Sequence, residues 1–81
     1  MEFEWDERKA RANAKKHGVS FHDAATVFGD PLAITFPDPD HSEAEERSVT
    51  FGMSQSQRLL MVAHTFRGAK TQIIGARMMT R

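Results

Sequence analysis

Residues 58–66, RLLMVAHTF, constrain the fold more than any other segment. Apart from Arg58 the run is almost entirely apolar up to His64, so a strand here would be apolar on both faces. Such strands lie at the centre of a sheet and are covered on both sides. Alternation places Leu60, Val62 and His64 on one face, together with Arg58 and Phe66. The segment therefore predicts a sheet with further strands on either side of it.

Two helices are predicted ahead of this strand. Asp6 is a good N-cap for a helix that runs to Lys16 or His17, and Gly18 can end it in the left-handed conformation. Ser20 is a second N-cap, and the helix over residues 21–28 ends at Gly29.

The remaining segments read as strands and loops. Residues 2–5 alternate as a short half-buried strand would, and strands are predicted over residues 32–36, 47–51 and 71–79. Pro37 to Asp40 is predicted as a loop, followed by a solvated acidic stretch to Glu46. We expect a single α+β domain over residues 1–81, with two N-terminal helices on an antiparallel sheet of four main strands and a short N-terminal strand.

Charge is divided sharply along the chain. Residues 21–46 carry seven acidic and no basic side chains, whereas residues 47–81 carry six basic and no acidic ones. This division indicates one positive and one negative surface. The alternative is a dipolar protein whose segments neutralise each other in the fold.

Composition favours a cytoplasmic protein. The chain has 81 residues and no cysteine, which excludes disulfides and thiolate metal sites. The polar N-terminal sequence MEFEWDERK is unlike a signal peptide, and the longest apolar run, residues 59–63, is too short to span a membrane.

The first helix presents a stripe that suits nucleic acid. Trp5, Lys9, Asn13 and Lys16 recur at helical spacing and His17 flanks them. An aromatic ring with cations and an amide can contact bases and phosphates. The alternative is that Trp5 packs in the core while the lysines are solvated.

Two further residues in the basic third could carry chemistry. His64 lies on the central strand, where it is either a hydrogen-bonded structural histidine or a catalyst. Arg77 lies in an apolar strand and needs an anion or a salt bridge to an acidic loop residue. Asp38, Asp40 and His41 cluster, but the flanking prolines explain them as a turn, so no metal or other cofactor is expected.

Four motifs together resemble one family along essentially the whole chain. They are FEWDERK, AKKHGVSF with the following DAATVFGDP, LLMVAHTFRG and IIGARMMTR, in this order and at this spacing. The set is similar to the BrnT family of bacterial type II toxins, whose partners are BrnA antitoxins. The resemblance implies a RelE-like fold and metal-independent RNA cleavage.

The resemblance also implies site residues. Arg67 and Arg77 would stabilise phosphate, and His64 would transfer a proton. Lys16 and His17 would dock the RNA backbone, and the motifs also carry over Trp5, Lys9 and Thr65. The implied chemistry is attack by a ribose 2′-hydroxyl on the adjacent phosphate, which leaves a 2′,3′-cyclic phosphate.

Two expectations concern partners. Members of the family usually continue past the AR motif into a charged C-terminal helix, whereas this chain ends at Arg81 and has no tyrosine. An alternative is therefore a shortened toxin that binds nucleic acid or a ribbon-helix-helix antitoxin without cleaving RNA. The terminal strand, residues 73–79, is predicted to be a sheet edge, so we expect homo- or hetero-oligomers.

Overall fold

The computed structural model describes residues 1–38, 40 and 46–79. His41 and most of the acidic stretch predicted to be solvated lie outside these residues, as do Thr80 and Arg81. The elements in chain order are β1 (Glu2–Glu4), α1 (Glu7–His17), α2 (Phe21–Ala25), a 3₁₀ turn (Thr26–Gly29), β2 (Ile34–Pro37), β3 (Ser48–Met53), β4 (Leu59–Arg67) and β5 (Lys70–Met78).

Local capping explains where both helices begin and where α1 ends. The Asp6 carboxylate accepts hydrogen bonds from the backbone N–H groups of Arg8 and Lys9, and Gly18 ends α1 at φ 69°. The Ser20 hydroxyl accepts from the Asp23 N–H at 3.0 Å. These contacts confirm the predicted caps. No helix among the described residues has both the length and the apolar character required to cross a membrane.

The second predicted helix is shorter than expected. Instead of continuing to Phe28, α2 ends at Ala25 and the chain tightens into the 3₁₀ turn. The Thr26 hydroxyl donates to the Asp23 carbonyl oxygen at 2.6 Å, which takes up a carbonyl that the helix would otherwise use.

The sheet has five strands in the order β1-β5-β4-β3-β2. The four C-terminal strands pair antiparallel, as predicted, and β4 is central. However, β1 joins the same sheet and pairs parallel to β5, so the sheet is mixed. β5 thus lies between β1 and β4 in the strand order, but β1 pairs only with residues 70–72, so the part of β5 that was predicted to be an edge has no strand partner on that side among the described residues.

Only one face of the sheet is covered by the helical segment. Val19, Phe21, Ala24 and Val27 pack there against four strand residues, Leu60, Val62, Ile73 and Ala76. The opposite face, called the outer face below, carries Val49, Phe51, Met53, Leu59, Met61, Ala63 and Arg77. Leu59 is 45% exposed on it, so among the described residues the expected second layer over β4 does not exist. Two short helices provide only one covering layer.

A β-bulge in β5 decides which side chains reach each face. Ala63 pairs with Gly75 and His64 pairs with Ile73, so Ile74 is an extra residue on β5. Because of this residue, Ile73 and Ala76 both face the core although they are three positions apart. Without the bulge, Arg77 would face the same side as Ile73; with it, Arg77 lies on the outer face.

The Asn13 side chain holds the bulged part of β5 against α1. Its Nδ2 donates to the carbonyl oxygens of Val19 and Ala76, both at 2.9 Å, and its Oδ1 accepts from the Ala76 N–H at 3.1 Å. The amide thus pairs with β5 as a strand residue would, beyond the point where β1 ends its pairing. This contact gives the edge of β5 a partner and places α1 beside it.

We expect Asn13→Ala to destabilise the fold by about 2–4 kcal/mol, because Ala76 is buried and would lose partners for both backbone groups. Urea unfolding measures the change. Arg11→Ala, an exposed substitution on the same helix, is the control and should stay within about 0.5 kcal/mol of wild type. Equal unfolding midpoints for Asn13→Ala and wild type would contradict this role of the amide.

Candidate functional site

A concave pocket of about 250 Å³ opens on the outer face, between the end of α1 and the strands. We call it the polar pocket. It is lined by Asn13, His17, Asp38, Arg47, Val49, Met61, Ala63, Gly75, Ala76 and Arg77. Two arginines, an imidazole and an apolar floor therefore meet in one depression, a combination able to bind an anion and to transfer a proton.

Arg77 reaches the polar pocket because of the bulge. It pairs with Met61 of the central strand and is exposed. Within the part of the chain that the structure describes, its guanidinium forms no hydrogen bond or ion pair, so the alternative of a salt bridge to an acidic loop residue finds no support there. A guanidinium of this kind is available for a phosphate.

Arg47 and Asp38 line the polar pocket from the loop end of the β2–β3 hairpin. Pro37 pairs with Ser48 at the last position of the ladder. One residue beyond this pair, the Asp38 N–H donates to the Arg47 carbonyl oxygen at 2.8 Å, which keeps the two residues opposite each other. Sequence reasoning did not select either residue. The sequence did contain an indication of them, because each residue directly flanks a strand. Antiparallel pairing brings the ends of two consecutive strands together.

The helical stripe predicted from the sequence lines an adjoining groove. Lys9, Lys16 and His17 lie there with Asn13, Ala12 and Ile74 around a volume of about 260 Å³. Because Asn13 and His17 line both cavities, the groove continues into the polar pocket. The structure thus brings together four of the predicted site residues, Lys9, Lys16, His17 and Arg77.

Trp5 is not part of this surface. It precedes the N-cap of α1 and is half-buried against the core. Its ring makes edge contacts with Phe21 and His22, at centroid distances of 5.9 and 4.8 Å. Trp5 therefore packs against the core, as the alternative interpretation expected. An RNA-stacking role for Trp5 is not supported.

His64 is placed away from the polar pocket and cannot serve it. The side chain is fully buried on the helix-covered face, with its ring edge-on to Phe28 and Phe66. Its Nε2 bonds to the Thr50 hydroxyl at 2.7 Å, and Thr50 bonds in turn to the Thr35 hydroxyl. Burial lowers the pKa of the imidazole, which favours the neutral form. Its Nδ1 is buried and has no hydrogen-bond partner among the described residues. This position, on the face opposite the polar pocket, does not fit the catalytic role expected for His64.

Thr65 and Arg67 are also separated from the polar pocket. Thr65 is buried, and its hydroxyl donates to the Glu46 carbonyl oxygen at 2.6 Å. Arg67 is exposed and pairs with Lys70 at the far end of β4. It is six residues from Met61, the partner of Arg77, which corresponds to about 20 Å along a strand. The two arginines therefore cannot hold one phosphate together.

No group of three histidine, cysteine, aspartate or glutamate side chains is arranged to hold a metal ion within residues 1–38, 40 and 46–79. The cluster of Asp38, Asp40 and His41 noted in the sequence extends outside these residues.

Comparisons with known proteins agree on one family. A family model described as ribonuclease toxin, BrnT, of type II toxin-antitoxin system matches residues 5–81. The crystal structure of the Brucella abortus ribonuclease toxin BrnT, at 1.1 Å resolution, is similar, with 25% sequence identity and a TM-score of 0.77. The similarity covers 100% of this chain and 99% of that one. No curated protein matches significantly.

The buried histidine makes stability depend on pH. Because folding lowers the pKa of His64 below its ordinary value of 6.5, the unfolded chain binds more protons under mildly acidic conditions. The free energy of unfolding should be highest above that value and fall as the pH drops below it. Melting curves from about pH 7.5 to about pH 5 measure this. His64→Gln, which cannot titrate, should show a flatter profile; a profile as steep as that of wild type would contradict the assignment.

Proposed function

The chain belongs to the BrnT family of ribonuclease toxins of type II toxin–antitoxin systems, and from this membership we propose that it cleaves RNA at the polar pocket without a metal ion. The observation that carries the proposal is Arg77. It is an exposed cation with no partner among the described residues, beside a second arginine and a histidine. A phosphodiester supplies the missing anion.

The proposed reaction is transesterification. A ribose 2′-hydroxyl loses its proton, its oxygen bonds to the adjacent phosphorus, and the bond from phosphorus to the 5′-oxygen breaks. The products are a 2′,3′-cyclic phosphate and a 5′-hydroxyl, whose oxygen takes a proton from water. Negative charge builds on the phosphate oxygens in the transition state, so cations beside them accelerate the reaction.

We assign the roles as follows. Arg77 and Arg47 bind the scissile phosphate, because both line the polar pocket and a guanidinium can donate two parallel hydrogen bonds to phosphate oxygens. His17 accepts the 2′-hydroxyl proton, in place of the buried His64. It is the histidine that lines the polar pocket, and it is exposed there.

Metal independence is supported by the charge that the pocket already carries. Two guanidinium groups line the polar pocket together with the Asp38 carboxylate, so its arginines outnumber its carboxylates among the described residues. Beside a phosphate, the guanidinium groups would supply positive charge of the kind that a divalent cation supplies in a metal-dependent nuclease.

Lys9, Lys16 and Arg67 are proposed to bind the RNA away from the cut. The two lysines line the groove that continues the polar pocket. By strand alternation Arg67 lies on the outer face as well, about 20 Å from Arg77 along the strands. These contacts would be to phosphates and would add affinity without affecting the chemical step.

The biological setting is proposed from family membership. We infer a RelE-like arrangement of the helices and the four C-terminal strands. We also infer a BrnA-type ribbon-helix-helix antitoxin as the inhibiting partner, within hetero-oligomers, and action in the cytoplasm on RNA, which inhibits translation. The positive surface around Arg77 suits an acidic inhibitor as well as it suits RNA.

One observation favours a second candidate function, a module that binds nucleic acid or antitoxin without cleaving. Among the described residues that line the polar pocket, His17 supplies the one imidazole, whereas general acid–base catalysis of this reaction uses two groups. Binding of RNA with no cleavage of unmodified RNA by the purified protein would select this alternative.

We expect the protein to cleave single-stranded RNA in EDTA and to leave 2′,3′-cyclic phosphate ends. Gel analysis of labelled RNA, followed by mass spectrometry of the products, tests both points. RNA with 2′-O-methyl groups is the control, because it lacks the nucleophile and should stay intact. Loss of cleavage in EDTA that a divalent ion restores would refute the mechanism.

We expect Arg77→Ala to lower the cleavage rate at saturating RNA. The reason is that removal of one preorganised donor costs about 2–4 kcal/mol of transition-state stabilisation. Arg67→Ala should instead raise KM and leave kcat near that of wild type, because this side chain lies far from the proposed cut. Arg11→Ala is the matched arginine control for both. Arg77→Ala with wild-type kcat and an intact fold would place the site elsewhere.

A further inference from the structure

We propose that a second pocket, on the other side of Arg77, receives a nucleobase of the RNA next to the scissile phosphate. This inference rests on the proposed function, because it assumes that the phosphate lies at Arg77. It adds a specificity subsite to the site described above. The base bound there would determine which nucleotide lies at the cleavage position.

The second pocket has a volume of about 180 Å³ and is lined by Phe51, Met61, Arg77, Met78 and Met79. We call it the apolar pocket. Met61 and Arg77 line both it and the polar pocket, so the two cavities are neighbours that share a wall. Phe51, Met61 and Arg77 are consecutive partners across β3, β4 and β5. Phe51 is therefore about 10 Å from Arg77, two strand spacings away on the same face.

The lining of the apolar pocket suits the flat face of a base. Phe51 is half-buried and makes an edge contact with Phe36, whose ring centroid is 5.9 Å away at an interplanar angle of 71°. The three methionine side chains add flexible, polarizable thioethers. Every nucleobase has a π-face, and aromatic residues on sheet surfaces bind unstacked bases of single strands.

Charge assigns the apolar pocket to a nucleotide. Among the described residues that line it, the one charged side chain is the cation Arg77, which also lines the polar pocket. A nucleotide joins a flat, largely apolar base to an anionic phosphate a short distance away. The apolar pocket and the neighbouring polar pocket likewise place an apolar surface beside a cationic one.

The surrounding outer face also contains exposed apolar residues, which a protein partner could cover. Ile34, Phe36, Met53 and Leu59 are all more than two-fifths exposed. The base is the better occupant of the apolar pocket because Arg77 lines both pockets, so a phosphate at Arg77 and a base in the apolar pocket can belong to one nucleotide. Docking of an antitoxin at Phe51 is the competing outcome, and the experiment below distinguishes the two.

The experiment compares two substitutions at one position. Phe51→Leu keeps the apolar volume approximately but removes the aromatic ring, whereas Phe51→Trp enlarges the ring. Met53→Ala, on the same strand and the same face but outside the apolar pocket, is the matched control. Each protein is first shown to melt as wild type does. Binding is then measured by fluorescence anisotropy with short 2′-O-methyl oligoadenylate and with an abasic oligomer of the same length.

We expect Phe51→Leu to weaken binding of the oligoadenylate on the order of tenfold and to leave binding of the abasic oligomer unchanged. Phe51→Trp should retain or exceed wild-type affinity, and Met53→Ala should bind both probes as wild type does. Arg77→Ala should weaken binding of both probes, because the phosphates are common to them. On cleavable RNA, Phe51→Leu should alter the pattern of cut sites.

Three results would overturn the inference. The first is equal affinity of wild type and Phe51→Leu for the oligoadenylate, while wild type still cleaves RNA; the proposed function would then stand without a base subsite. The second is weakened antitoxin binding by Phe51→Leu with RNA binding unchanged, which would make the pocket a protein-docking surface. The third is failure of the wild-type protein to bind or cleave RNA, with Arg77→Ala indistinguishable from it, and this result would reject the proposed function as well.

Discussion

One inserted residue in β5, held in place by one side-chain amide, determines the arrangement of the candidate site. Ile74 shifts the register between β4 and β5, and Asn13 hydrogen-bonds the backbone of Ala76, two residues after it. The shift turns Ala76 toward the core and Arg77 toward the outer face. The same amide draws α1 against β5, which brings His17 to the rim of the polar pocket. Bulges commonly re-aim a side chain near a functional site.

The two faces of the sheet differ in role. The helix-covered face forms the core, and the outer face carries the pockets proposed to bind RNA. All of the fully buried apolar side chains among the described residues lie on the helix-covered side, where His64 and two threonines add a hydrogen-bonded chain. A chain of 81 residues has little material for a second layer. Within the part of the chain that the structure describes, no second layer covers the outer face, and it is the side that carries the exposed Arg77 and the apolar pocket.

The described arginines of the basic C-terminal third do not form one continuous positive patch. Arg77 and Arg47 line the polar pocket, whereas Arg67 lies at the opposite end of β4. The positive charge around the polar pocket is completed from the N-terminal helix, by Lys9 and Lys16 in the adjoining groove. The division of charge along the sequence pointed to the C-terminal strands, and Arg47 and Arg77 beside and within these strands line the polar pocket. The division of charge could not show that the site combines both ends of the chain, because that depends on α1 packing beside β5.

The sequence by itself determined the features that local physics controls. The caps at Asp6, Gly18 and Ser20 follow from backbone groups that a nearby side chain or a glycine must satisfy. The central position of β4 follows from an apolar run that needs neighbours, and the order of four motifs indicated the family. Tertiary structure alone decided the rest. Pairing of β1 with β5 depends on contacts between the two ends of the chain. The burial of His64 depends on which face the helices cover, and the outward direction of Arg77 depends on a bulge that strict alternation does not contain.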